Sequence, residues 1–144
     1  FARLADPPDQ APARAAALRQ IFQAMTSAPE MVRGPGGFDT ELMRALPGRL
    51  VSKGGAEGYQ AIGLAPGALG PGSPALGLTL KVADGGSRAV GLIAAEALRQ
   101  LGALSPAALD ALAGFNFTLP QPVRNWRGIQ VGEAHAAFQL TLQV

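Results

Sequence analysis

The sequence predicts an α+β fold, with helices packed on a mainly antiparallel sheet, over one domain spanning residues 1–144. Three observations lead there. Apolar residues recur at helical spacing in two long stretches, Ala11 to Ser27 and Arg88 to Leu101. Three short strand-like runs follow one another between residues 49 and 82, without a helix-length connection, which favours antiparallel pairing. The 144 residues are 48% hydrophobic and 15% charged, enough to bury one core and too apolar for a disordered chain.

The elements are justified in order. Phe1-Ala2-Arg3-Leu4-Ala5 reads as the last turn of a helix, which suggests a piece of a longer protein. Asp6-Pro7-Pro8-Asp9 breaks it. Leu18, Ile21, Phe22 and Met25 form one apolar stripe on the helix Ala11 to Ser27, and Pro29 ends it. Arg33-Gly34-Pro35-Gly36-Gly37 reads as a flexible loop. Asp39 or Thr40 is the expected N-cap of a short helix reaching Leu46, with Glu41 in its first turn. Pro47-Gly48 stops it.

The expected strands are Arg49 to Lys53, Tyr59 to Leu64 and Leu76 to Val82, the last with Leu76, Leu78, Leu80 and Val82 on one face. Ala65 to Pro74 is a Gly/Pro-rich loop. The helix Arg88 to Leu101, with Ala94, Leu98 and Leu101 on one side, is apolar nearly all round and belongs against a sheet. Ser105 caps a short helix, Pro106 to Ala113, closed by Gly114. Asn116 to Pro122 is a connector. Arg124 to Val131 reads as a strand after a turn, and Phe138, Leu140, Leu142 and Val144 alternate as a final strand. Trp126 belongs to packing, under arginine stems.

Composition excludes several functions. The net charge is only +2 and the arginines are scattered, so nucleic acid is not an expected partner. No apolar run approaches the roughly 20 residues that span a membrane. There is no cysteine, which rules out disulfides and thiolate metal sites within the chain and fits a cytoplasmic protein. His135 is the single histidine and builds no zinc site alone.

Ser52-Lys53-Gly54-Gly55-Ala56-Glu57-Gly58 carries the candidate chemistry. Only two of the twelve basic residues are lysines, and Lys53 stands where a strand meets two glycines. A desolvated lysine gives up its proton, which arginine does not, and Gly54 and Gly55 let a backbone or ligand approach. A base or proton shuttle beside an open edge is one reading; a solvated charge beside a turn is the other. Glu57 either holds a substrate's amino group or caps its turn. Asp39 and Thr40 either face the site or merely cap their helix. Lys81 and Arg88 read as solvent-facing.

The order of Phe38-Asp39-Thr40-Glu41-Leu42-Met43, Ser52 to Gly58, Leu78 to Gly85, Ser87-Arg88-Ala89 and Arg124 to Gly128 with Val131-Gly132-Glu133 resembles the L-asparaginase II family of bacterial asparaginases. The resemblance implies a fold like serine β-lactamases and penicillin-binding proteins, of which this chain would be the C-terminal part. It implies hydrolysis of L-asparagine to L-aspartate and ammonia, through a serine/lysine site completed by an upstream half. The family's Ser-x-x-Lys motif does not occur here: Ser27 is followed three on by Glu30, and Ser52 by Gly55. The isolated chain is therefore expected to be inactive. The resemblance makes Lys53 the catalytic residue, equivalent to the lysine of a Lys-x-Gly element, and puts Asp39, Thr40, Gly54, Gly55 and Glu57 around substrate. It implies no cofactor in this chain. The family's zinc-site cysteines lie upstream or, in some members, near the position of Asp39. Its expected partners are the upstream half, L-asparagine and, as an option, a second copy in a homodimer. The alternatives are a non-catalytic binding or assembly module, or a glutaminase-like or β-lactamase-like hydrolase.

Overall fold

A computed structural model describes residues 1–9 and 11–141. Its elements run α1 (Ala2–Ala5), α2 (Pro12–Ser27), α3 (Glu30–Arg33), α4 (Phe38–Ala45), β1 (Leu50–Gly54), β2 (Tyr59–Leu64), β3 (Leu76–Lys81), α5 (Val90–Gln100), α6 (Pro106–Ala113), β4 (Gln121–Arg124) and β5 (Gln130–Ala134). This is an α+β fold. The first three strands form one antiparallel sheet in the order β1-β2-β3, and β4 and β5 form a separate hairpin.

The sheet divides its side chains between two layers, because successive residues on a strand face opposite ways. Leu50, Ile62, Leu64 and, on β3, Leu76, Leu78 and Leu80 face a core shared with Leu42, Met43 and Leu46 of α4 and Ala94 and Leu98 of α5. Leu42 and Met43 are fully buried; each contributes about 1.5–3 kcal/mol of apolar burial. Helix α1 lies across the opposite face. There a Cβ on Gly63 would stand 2.5 Å from the Phe1 carbonyl oxygen, and one on Gly77 would stand 3.3 Å from Ala2 Cβ. Glycine at those two positions is what lets α1 approach so closely.

Several expectations needed correction. Helix α2 buries Ala15 and packs Phe22 and Met25 against the core, but Ile21 is exposed on its flank. Neither Asp39 nor Thr40 caps α4, since the helix begins at Phe38 with Gly37 as its cap. Both fall inside the first turn and are drawn into tertiary bonds. Loop 33–37 is held from α4: the Thr40 hydroxyl bonds the Pro29 and Gly34 carbonyls, and the Gly36 N–H donates to Glu41. The run Arg124 to Val131 is a hairpin turn rather than one strand, with Gly128 at φ +77°. Residues 138–141 form no strand; Leu142 and Val144 lie outside the described residues. Trp126 is 93% exposed at the hairpin tip, under no packing beyond the Arg127 guanidinium 5.8 Å from its ring centre. The Ser105 cap stands as expected, accepting from the Ala108 N–H at 3.2 Å.

Helix α5 carries an acid inside its buried run. Glu96 is 7% exposed and accepts two bonds of 2.8 Å from Arg99 and one of 2.7 Å from Gln100. The Arg99 bonds hold its carboxyl below the usual glutamate range, against the opposing effect of burial. The unfolded chain therefore takes up this proton more readily than the folded one. The stabilisation is complete above the unfolded value of about 4.3 and is lost as pH falls through the lower folded value. The urea midpoint of Glu96→Gln should thus lie below that of the native protein near neutral pH, and the gap should shrink on acidification. A gap independent of pH would show that the Glu96 charge contributes nothing. No described helix is long and apolar enough to cross a membrane.

Candidate active site

Two polar residues interrupt the apolar face of the sheet, and both are fully buried. Ser52 stands on β1 next to Leu50, and Gln60 stands on β2 next to Ile62. Buried polar groups of this kind need partners, and α4 supplies one. Asp39, 0% exposed, places its carboxylate against the end of β1. The Ser52 hydroxyl donates to Oδ1 at 2.6 Å, Gln60 Nε2 donates to the same oxygen at 2.6 Å, and the Gly54 N–H donates to Oδ2 at 2.9 Å. Gln60 sends its second amide proton to Ser52 Oγ at 2.8 Å. The protons have one consistent arrangement: the hydroxyl gives to the carboxylate and receives from the amide. Arg33 adds a guanidinium 3.6 Å from Asp39 Oδ2. The three bonds and the cation together offset the cost of burying a carboxylate.

Gly54 is where these groups meet. Hairpin bonds pair Gly55 with Tyr59 and Ala65 with Arg49, so by antiparallel alternation β1 turns the peptide groups of Ser52 and Gly54 away from β2. The Gly54 N–H then reaches Asp39, while its carbonyl accepts from Lys53 Nζ at 2.5 Å. A Cβ at Gly54 would collide with the Arg33 guanidinium and stand 3.4 Å from Asp39 Oδ2. The close approach that a glycine here permits is thus used by Arg33.

The sequence-based site residues separate into two groups. Asp39, Lys53 and Gly54 converge on one peptide of the β1 edge. Lys53 is exposed in this chain rather than desolvated as the sequence reading requires, because it lies on the opposite sheet face from Ser52 and Gln60; its amine folds back to the edge. Thr40 is buried, with its hydroxyl committed to two loop carbonyls. Gly55 pairs within the hairpin, and its Cα faces the Tyr59 ring. Glu57 is in the turn, its side chain 84% exposed and 3.5 Å from Lys81. Its φ of 56° is left-handed, a conformation uncommon for any residue other than glycine.

A cleft of about 230 Å³ opens beside the cluster, lined by Arg33, Gly37, Phe38, Gln60, Ser87 and Phe117 among others. Phe38 and Phe117 meet edge to face, with ring centres 5.1 Å apart. The sequence singles out neither Arg33 nor Gln60, and Ser52 only as the first residue of the run that carries Lys53. For Ser52 and Gln60 the available signal is a polar residue at an inward position of an otherwise apolar strand; Arg33, at the end of α3, offers no such signal.

The L-asparaginase II family model matches residues 1–136. The chain belongs to the L-asparaginase II family. Comparison with curated proteins gives no match. For an L-asparaginase II chain the donor set bears on zinc. Among the described residues no three His, Cys, Asp or Glu side chains stand together as a metal would need. Asp39 has both oxygens engaged, and His135 is paired with Glu133 at 2.9 Å. The residues present do not fit a zinc centre, and no chemical step is drawn through one.

Proposed function

We propose that the chain forms one wall of an amidohydrolase site that converts L-asparagine to L-aspartate and ammonia, with a nucleophilic hydroxyl supplied from upstream of Phe1. The observation that carries this reading is the convergence of Lys53, Asp39 and Arg33 on the Gly54 peptide at the outer edge of β1. Amide hydrolysis through a hydroxyl needs an acceptor for its proton and a donor for the departing nitrogen. Lys53, once the docked upstream part covers its amine, is the group here that can serve both steps: the amine takes the proton as the hydroxyl attacks the side-chain carbonyl, the ammonium returns one to the ammonia that leaves, and water then cleaves the resulting ester to release L-aspartate and restore the hydroxyl. Asp39 does not touch substrate in this scheme. It fixes the end of β1, so that the Lys53 amine and the outward peptides stand in one place when the nucleophile docks.

The family match supports asparaginase-type chemistry in general; the choice of substrate is tested directly. The full-length protein, given L-asparagine, L-glutamine and a β-lactam in turn, should release ammonia fastest from L-asparagine. Faster turnover of glutamine or of the lactam would replace the assignment. Binding of L-asparagine without ammonia release would favour the non-catalytic module, a reading helped by the lack of a Ser-x-x-Lys motif in these 144 residues.

A further inference from the structure

Two polar groups at the cleft have hydrogen-bonding capacity unused among the described residues, and they are of opposite kinds. The Gln60 amide is locked by its neighbours: both Nε2 protons go to Asp39 and Ser52, which turns Oε1 away from the carboxylate. Oε1 accepts from no described residue. Every fully buried polar side-chain atom among the described residues has a partner, so Oε1 opens on the cleft that Gln60 lines rather than on the packed interior. Gln60 as a whole is 1% exposed. Arg33, on the same cleft, sits 3.6 Å from Asp39, beyond hydrogen-bond length, and donates to no described residue. A nearly buried acceptor and a planar set of donors therefore face one small space with aromatic walls.

We infer that this cleft receives the main-chain end of a free α-amino acid. The Arg33 guanidinium takes the α-carboxylate through two parallel N–H bonds. Gln60 Oε1 accepts from the α-ammonium, and the Asp39 carboxylate behind it favours a cation there. Asp39 also holds Arg33 in place, so one buried anion orients both halves of the recognition. A ligand with only a carboxylate would leave Oε1 without a donor, and one with only an amine would leave the guanidinium N–H groups without an acceptor. The zwitterion satisfies both. The volume of about 230 Å³ is below the range of roughly 300–1,000 Å³ common for drug-sized ligands, which suits a single small amino acid. The inference builds on the amidohydrolase reading, because it names what holds the far end of the substrate, but binding tests it independently of turnover.

The test uses the full-length protein and calorimetric titration with L-asparagine, with succinamic acid, which lacks the α-amino group, and with 3-aminopropanamide, which lacks the α-carboxylate. Arg33→Ala should weaken binding of L-asparagine and of succinamic acid about tenfold or more and leave 3-aminopropanamide unchanged. Arg33 is partly exposed, so the variant is expected to fold. Arg33→Lys, which keeps the charge without the planar fork, replaces it if it does not, and should weaken the same two ligands. Unchanged affinity for L-asparagine in the folded variant, or equal loss for all three ligands, overturns the inference. If the native protein hydrolyses L-asparagine and Arg33→Ala does so with native KM, the subsite falls and the amidohydrolase reading stands. If the native protein releases no ammonia yet the binding pattern holds, the subsite stands and the hydrolase reading falls.

Discussion

Asp39→Ala should destabilise the protein by about 3–5 kcal/mol, the largest stability effect expected of any single substitution here. The removed carboxylate accepts from Ser52, Gln60 and the Gly54 N–H, and all three donors are buried. Without it they lose their acceptor, and each unsatisfied donor costs about 1–3 kcal/mol. The Arg33 cation adds less, since its side chain is 42% exposed and water screens the pair. Asp39→Asn should cost less than alanine. It keeps the volume and one acceptor but turns an NH2 group toward existing donors. Urea unfolding of the three proteins, followed by far-ultraviolet circular dichroism, should rank them native, Asn, Ala. An alanine variant within about 1 kcal/mol of native would mean that the buried network is not the anchor of β1.

Lys53→Ala should reduce ammonia release from L-asparagine by about 10²–10⁴-fold in kcat/KM while leaving the urea midpoint near native. The two effects are separable because Lys53 is exposed and, among the described residues, its side chain bonds only the neighbouring Gly54 carbonyl. Lys53→Arg distinguishes charge from proton transfer. It preserves a cation at the edge but cannot lose its proton at ordinary pH, so it should fall nearly as far as alanine if the amine moves a proton. Near-native turnover in Lys53→Arg would reduce Lys53 to an electrostatic role. Near-native turnover in Lys53→Ala would remove it from the site.

The parts legible in the sequence were those set by local periodicity. The three sheet strands, α5 and the Ser105-capped α6 follow from alternation, helical spacing and end signals, and they stand within a residue or two of expectation. Residues whose role depends on tertiary partners were harder to read. Asp39 carries the pattern of an N-cap, yet the cap is Gly37, two residues earlier, and the carboxylate turns to a strand that joins it only after folding. Arg33 sits among glycines that suggest flexibility, but Thr40 and Glu41, on the following helix, tie that loop down. Trp126, flanked by Arg124 and Arg127, reads as packed under their stems, but the tight turn at Gly128 carries it outward. Lys53 and Gly54 were legible as a pair because glycine beside lysine at a strand end is a local signal. Gln60 was not, since its only anomaly is polarity at an inward register position opposite Gly54.

The alternation of β1 has a consequence for how such a protein can change. Ser52 and Gly54 serve the buried anchor on one side of the strand, and Lys53 serves the solvent side, so neighbours in sequence answer to separate demands. Variation at position 53 leaves the buried side of the strand untouched, whereas change at Asp39, Ser52 or Gln60 shifts the edge on which the Lys53 amine rests. One short ribbon thereby lets selection alter its surface amine without disturbing its interior, but not the reverse.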